Sequence, residues 1–321
     1  VYEWLWQKQA MSFADMTNLS KSLRQQLGET FTLPALQIDT KQYSEDGTIK
    51  LRFRTWDGHF IEGVLIPTDK RITACVSSQI GCSLTCKFCA TGYLERKRNL
   101  QFDEIVDQVV LLNQQAQELL DKKITNIVFM GMGEPLANYN AVVQTLRNIT
   151  SPNPDGLGIS ARSVTLSTVG LVNGVEKFTE EGIPVTLAVS LHTPDDELRD
   201  TLVPINSRWK VKEVLTAADN YADKTGRRYS IEYALIRDIN DQQWRADLLG
   251  RLLKNRHAHV NLIPLNPTPG SKWTASRRED ERTFVKTLEN YGVPVTVRDT
   301  RGREIEGACG QLAALEISVN P

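Results

Sequence analysis

The sequence contains no uninterrupted apolar run long enough to cross a bilayer, and its start, VYEWLWQKQA, has no signal-peptide layout. These absences lead to the expectation of a cytoplasmic protein with no membrane partner. No internal repeat and no low-complexity tract is present, which sets aside solenoids and disordered linkers. Net charge is also lacking: 38 Lys and Arg stand against 39 Asp and Glu. A net charge of -1 and a pI near 6.5 exclude a globally basic nucleic-acid binder, so any RNA contact must come from local patches. Cysteine is scarce, with five in 321 residues, and the odd count argues against a disulfide scaffold. No second CxxC pair accompanies the one present, which weakens a closed zinc site.

What remains is an ordinary globular composition, with 40% hydrophobic and 24% charged residues and a mean hydropathy of -0.32. A chain of this length supports one large core with small attachments, and a monomer is expected. Residues 1–35 read as a helical attachment, with Trp4, Trp6, Met11, Phe13, Leu19, Leu23 and Leu27 at roughly helical spacing. Because the pattern is already helical at Val1, further sequence is expected before it. Residues 36–71 read as a small antiparallel meander, with turns at Asp46-Gly47 and Asp57-Gly58.

From residue 72 to 321 a strand-then-helix rhythm takes over. Strands are expected at 72–78, 124–132, 163–168, 185–191, 229–236 and 259–265, with a seventh at 295–299. They are apolar at most positions, as a covered parallel sheet requires. Six consecutive βα units predict a right-handed α/β fold, either an open wound sheet or a partial TIM-like (β/α)6 barrel. Ligands in such folds gather at the carboxyl ends of the strands. There the sequence places a cysteine loop after the first strand, Gly131-Met132-Gly133-Glu134-Pro135 after the second, Ser167-Thr168, Ser190-Leu191-His192, and Asn266-Pro267.

The cysteine loop, GCSLTCKFCATG, carries Cys82, Cys86 and Cys89. Three thiolates form a soft, negative ligand set suited to zinc or to an iron–sulfur cluster. A cubane cluster held by three of them keeps one iron open for a substrate or cofactor. The C-x3-C-x2-C spacing resembles that of radical S-adenosylmethionine enzymes, and GMGEP resembles their glycine-rich second-strand motif. That resemblance implies a [4Fe-4S] cluster whose open iron chelates S-adenosylmethionine, and a reductive cleavage that yields a deoxyadenosyl radical. A glycine-rich strand end taken alone is as often only a turn.

Two cysteines lie outside the loop. Cys309 sits among small residues in EGACGQL, a setting suited to an accessible loop, whereas Cys75 precedes the cluster loop on a strand. With ACVSSQIGCSLTCKFCATG, GMGEPLAN, VTLST, SLH, DTLVPIN, IEYALI, VNLIPLNP, TRG and ACGQL in order, the chain resembles the RlmN/Cfr family of radical S-adenosylmethionine RNA methyltransferases along nearly its whole length. The resemblance implies that Cys82, Cys86 and Cys89 ligate the cluster. It implies that Gly133, Glu134, Ser167, Ser190, Leu191, His192 and Asn266 bind S-adenosylmethionine. Cys309 would carry the methyl group, Cys75 would resolve a protein–RNA crosslink by forming a disulfide with Cys309, and Glu62 would accept the ring proton. The implied partners are 23S rRNA at the peptidyl-transferase centre, tRNA at position 37, and a low-potential electron donor such as flavodoxin.

The implied target, C2 of adenine, is an amidine carbon and not a nucleophile, which is why radical chemistry and a covalent detour would be needed. Methylation at C8 shares the same motifs. A glycyl-radical activase would need the loop but not Cys309, and a non-catalytic metal- or RNA-binding module would need neither step. Basic runs at Arg96-Lys97-Arg98, Arg277-Arg278, and Arg298, Arg301 and Arg303 are either solvated faces or phosphate contacts.

Overall fold

The computed structural model describes residues 1–268 and 271–313. One sheet of ten strands organises it, in an unbroken spatial order that follows the chain. Strands β1 (Gln37–Tyr43), β2 (Ile49–Arg54) and β3 (Phe60–Pro67) form an antiparallel meander, and β3 pairs antiparallel with β4 (Ile72–Cys75). A small two-stranded ribbon, β5 (Gln79–Ile80) with β6 (Arg98–Asn99), frames the cysteine loop. The sheet continues in parallel through β7 (Asn126–Phe129), β8 (Val164–Thr168), β9 (Thr186–Ser190), β10 (Tyr229–Leu235), β11 (Ala258–Pro264) and β12 (Val295–Val297). Strands β1 and β12 are the free edges, so the barrel is partial and includes the expected seventh parallel strand.

The helices are α1 (Lys21–Thr30), α2 (Phe102–Leu120), α3 (Tyr139–Thr150), α4 (Val172–Glu181), α5 (Asp196–Leu202), α6 (Val211–Thr225), α7 (Gln243–Leu253) and α8 (Arg278–Asn290). All but α1 lie between successive parallel strands. Helix α2 shows why these segments are helical. The Glu104 carboxylate accepts the Gln101 N–H at 2.8 Å, closing its first turn, and Ile105, Val109, Leu112 and Ala116 form a fully buried stripe at helical spacing. Ile105, Val109 and Leu112 each contribute roughly 1.5–3 kcal/mol by burial, far more than their helix propensity.

The strands are apolar at most positions, as expected, and the two faces of the sheet differ. Residues facing the helices are apolar: Ala74, Ile127, Leu166, Leu187, Ile231 and Leu262 belong to the main core. Their alternate neighbours, polar Thr73, Asn126, Thr165 and Asn261 together with Cys75, Val128 and Ile263, line a cavity on the concave side. The concave face does not have to be apolar, because it encloses space and not a second layer of side chains.

The N-terminal segment also departs from the single helical pattern expected. Only α1 is a regular α-helix there, preceded by short turns at Glu3–Gln7 and Phe13–Asp15. Ser12 accepts the Ala14 N–H and Ser20 accepts the Leu23 N–H, so each serine starts a new helical piece. Of the apolar residues there, Met16 alone is fully buried.

Candidate active site

The site is assembled at the carboxyl rim of the parallel strands, where two loops are tied together. The cysteine loop leaves β5, and Gly92 lets it fold back on itself: a Cβ there would lie 2.7 Å from the Cys86 carbonyl oxygen. Its backbone is fixed from outside by the Lys87 N–H, which donates to the Leu202 carbonyl at the end of α5. The second loop carries Cys309. The Ala90 N–H donates to the Gly310 carbonyl at 2.7 Å, and the Thr91 hydroxyl donates to the Leu312 carbonyl at 2.6 Å. Farther back, the Gly302 N–H donates to Asp46 at 2.9 Å, and Glu304 bonds to Ser44. The meander therefore supports the segment that presents Cys309.

Cys82, Cys86 and Cys89 line one cavity together with Gly133, Glu134, Ser167, Ser190, His192, Asn266 and Cys309. The cavity has a volume of about 170 Å3. Burial pushes the Cys82 thiol up to about 11 and pushes Cys86 and Cys89 up as well, with mutual repulsion of the thiolates adding to the effect. Such thiols need a bound cation to deprotonate them. Among the described residues, no group of three or more His, Cys, Asp or Glu side chains is placed to hold a single metal ion. Three soft thiolates lining one cavity suit a cluster, in which each thiolate would bind a different iron.

Other residues shape the cavity for an organic group. Gly133 has φ +95° and packs so closely on Gln79 that a Cβ would sit 2.5 Å from it. The Gln79 side chain accepts the Glu134 N–H at 2.8 Å, which fixes the turn. Ser167 and Ser190 hydroxyls meet at 3.4 Å on adjacent strand ends. The Asn266 side chain donates to the Cys309 carbonyl at 3.0 Å, while its Oδ1 is buried and has no partner among the described residues. An orphaned acceptor on the cavity wall suits a ligand that brings an N–H or O–H donor.

His192 has φ +63°, and its ring packs on Phe88 with centroids 4.4 Å apart. Burial, and then the nearby Arg199 cation, lower its pKa to about 3, so the ring is neutral. Its Nδ1 accepts the Ala234 N–H at 3.0 Å, which assigns the proton to Nε2.

Two of the expected contacts differ in kind. The carboxylate oxygens of Glu134 accept the Leu136 N–H at 3.1 Å and the Val169 N–H at 2.8 Å, so that side chain ties the second strand end to the third. Leu191 does not reach the cavity: its side chain lies in the main core, its N–H donates to the Glu232 carbonyl, and its own carbonyl accepts from Arg199. Side chains alternate along a strand end, so Ser190 and Leu191 cannot both face inward.

Cys75 lies on β4, buried, and lines a second cavity of about 650 Å3 that fills the concave side of the sheet. Cys309 and Asn266 line both cavities, placing Cys309 at their junction. All five cysteines are free thiols. Glu62 is not solvated, contrary to the ordinary expectation for an acidic residue on a meander. It is buried on β3, ion-paired with Lys50 at 3.1 Å, and accepts the Ala313 N–H at 3.0 Å. It lines neither of these cavities.

Several basic residues expected as phosphate contacts are committed elsewhere. Arg98 forks between Asp57 and Glu104, with four hydrogen bonds of 2.7 to 2.8 Å. Arg277 pairs with Asp238, and Arg301 donates to the Asp46 and Pro67 carbonyls. Charge runs do not reveal which cations have carboxylate partners distant in sequence.

Sequence reasoning missed Arg199, which is fully buried beneath the site. Its guanidinium donates to the carbonyls of Leu191, Val169 and Ser190 and to Asn206 Oδ1, clamping the ends of β8 and β9. Burial lowers its pKa to about 10, so it keeps its charge at neutral pH. An arginine in the helical pattern after SLH reads as solvated, and only contacts converging from separate strands reveal otherwise. Replacing Arg199 by Met orphans several buried acceptors at once and is expected to cost about 3–5 kcal/mol. The shift of the denaturant midpoint relative to an exposed Arg208→Met control measures it.

A three-thiol loop over the mouth of a partial (β/α) barrel defines a radical S-adenosylmethionine enzyme, and the sequence profile of the Radical SAM superfamily matches residues 76–249. The profile described as ribosomal RNA large subunit methyltransferase N-terminal domain matches residues 1–33. The chain is 62% identical to a probable dual-specificity RNA methyltransferase RlmN of Thermobifida fusca, over 94% of this chain and 84% of that one. It is 57% identical to the Streptomyces griseus protein of the same name, with the same coverage. A solved radical SAM methyltransferase from Sphaerobacter thermophilus shares 43% identity and superposes with a TM-score of 0.94, covering 98% of this chain and 92% of that one. The chain belongs to the RlmN family of radical S-adenosylmethionine RNA methyltransferases. It uses a [4Fe-4S] cluster and S-adenosylmethionine to methylate RNA. Among the described residues no helix is long and apolar enough to cross a membrane.

Proposed function

We propose that this enzyme methylates C2 of adenosine in 23S rRNA and in tRNA, with Cys309 as the methyl carrier and Cys75 as its resolving partner. The observation that carries this reading is the position of Cys309 at the junction of two cavities. On one side are the three loop thiols, and on the other is Cys75.

In this reading Cys82, Cys86 and Cys89 hold the cluster. Gly133, Ser167, Ser190, His192 and Asn266 form the wall that holds S-adenosylmethionine, and Glu134 fixes that wall. When bound, these groups supply the methyl group, the reducing electron's path and the radical that makes an unreactive ring carbon accessible. Cys309 takes up the methyl group as a thiolate and later joins the methyl carbon covalently to the ring. Asn266 steadies the loop through the Cys309 carbonyl and leaves the sulfur free to face either cavity. After the ring proton is lost, the Cys75 thiolate attacks the Cys309 sulfur and the disulfide forms, while the sulfur–carbon bond breaks with its electron pair passing to the product carbon, which takes up a proton to become the methyl group. Glu62 accepts the ring proton, and its bond to the Ala313 N–H links it to the Cys309 loop. A low-potential donor such as flavodoxin provides electrons.

Mass-spectrometric nucleoside analysis of rRNA and tRNA after anaerobic reaction is the test. The expected product is 2-methyladenosine in both RNAs. Exclusive 8-methyladenosine overturns the regiochemistry, and product in one RNA only overturns the dual specificity.

A further inference from the structure

The turn between β2 and β3 carries a group that the roles above leave unused. Strand β3 runs antiparallel to β4, and β2 antiparallel to β3, so this turn lies at the carboxyl rim of the parallel strands, the end that carries the cysteine loop. Trp56 sits on it and is 70% exposed, more than any other large apolar side chain among the described residues. A lone exposed aromatic needs no explanation. Trp56 differs in how firmly it is presented. The Thr55 N–H donates to the His59 carbonyl at 2.9 Å, the Gly58 N–H donates to the Thr55 carbonyl at 3.0 Å, and the Thr55 hydroxyl donates to Asp57 at 2.6 Å. Asp57 is gripped in turn by Arg98 of β6, which ties the turn to the ribbon framing the cysteine loop. The Arg98 guanidinium stands over the Trp56 ring, 5.5 Å from its centroid. One face of the indole is thus backed by a fixed cation, and the other is open.

We infer that Trp56 is a stacking platform for the RNA substrate: its open face covers the base next to the target adenosine and holds that strand at the rim while the target enters the site. The inference rests on the adenosine target proposed above and not on the roles of the two outer cysteines. A base that reacts inside a cavity has to leave its stack, and its neighbours stay outside with a face uncovered. An indole offers a large, rigid π surface, and stacking on it accepts any base. Arg98 does not double as a phosphate contact, because its N–H donors are all engaged by Asp57, Glu104 and the Asn99 carbonyl. The tip therefore contributes stacking and releases no counterions.

The test pairs the side chain with the base it meets. The probes are two synthetic RNAs, a tRNA anticodon stem-loop with adenosine at position 37 and a 23S rRNA stem-loop from the peptidyl-transferase centre. Each is also made with an abasic ribose on the 5′ or on the 3′ side of the target. Dissociation constants are measured anaerobically on the cluster-reconstituted full chain without reductant. Removing the base on one side is expected to weaken binding to the unaltered chain about tenfold, and Trp56→Ala to weaken binding of the intact RNA by the same factor. Trp56→Ala then binds the abasic and the intact RNA equally, since both changes remove one contact. Trp56→Phe restores affinity to within about threefold, and the dependence of Kd on salt is the same in all three chains. A displaced turn gives losses that add, so additive losses overturn the inference. A shallower salt dependence in Trp56→Ala overturns it, as does undiminished binding of both abasic RNAs. Unchanged RNA affinity in Trp56→Ala with slower reduction of the cluster by flavodoxin also overturns it and assigns the tip to the electron donor. Methylation of both probes is read after reductant is added. Product at C8, or in only one RNA, overturns the target proposed above and leaves the stacking result standing.

Discussion

Cys309→Ala is expected to reduce RNA methylation to background while leaving the cluster and deoxyadenosine formation in place. The reason lies in how the residue is held. Its backbone carbonyl accepts from Asn266, the Gly310 carbonyl anchors the neighbouring position to the cysteine loop, and neither bond involves the sulfur. Alanine therefore keeps the loop closed and removes only the nucleophile, without a substitute at the cavity junction. Iron content and cluster absorption should match those of the unaltered protein. Deoxyadenosine produced per cluster in the presence of reductant should remain within about twofold of it, since the loss falls on an interaction specific to one step. Methylation that survived in this variant would remove Cys309 from the reaction. An activase-like use of the same cluster, which needs no such cysteine, would then become the better reading.

Single replacement of Cys82, Cys86 or Cys89 by Ala is expected to have the larger and less selective effect: loss of the cluster, and with it loss of both deoxyadenosine and methylated RNA. The three half-buried thiols line one cavity together. Two thiolates cannot retain a cluster that already leaves one iron open. Iron and sulfide analysis after anaerobic reconstitution, compared with Cys309→Ala, separates the two classes of cysteine. Retention of a full cluster by any of the three variants would show that the residue is not a ligand. The fold itself should persist in all three, because backbone bonds of Lys87, Cys89 and Ala90 fix the loop besides the longer 3.4 Å bond from the Leu84 N–H to the Cys82 sulfur.

Several of these assignments were legible from residue order alone. The spacing of Cys82, Cys86 and Cys89, the GMGEP turn, and the recurrence of apolar strands followed by helices are local patterns, and local patterns are written in the chain directly. They determined the parallel α/β core, the rim at which ligands collect, and the need for a cluster. The left-handed backbone at Gly133 and the close approach at Gly92 follow the same logic, since both positions hold the residue without a Cβ.

Other features depend on partners far apart in sequence and were therefore hidden. Arg98 read as a free cation until Asp57 and Glu104 closed on it, and Leu191 read as a contact until the strand pleat turned it into the core. Arg199 gave no signal at all: it is an isolated arginine whose meaning comes from carbonyls supplied by other strands, whereas Arg298, read within a basic run, pairs with the Glu232 carboxylate of β10. The sequence by itself determined which chemistry-bearing residues exist and which end of the sheet carries them. Tertiary structure alone decided that Cys309 stands between the cavity of the three loop thiols and the cavity of Cys75. Charge and hydrogen-bond pairing act through space over a few ångströms, and only folding brings Asn266 to the Cys309 carbonyl and Arg199 to the strand ends.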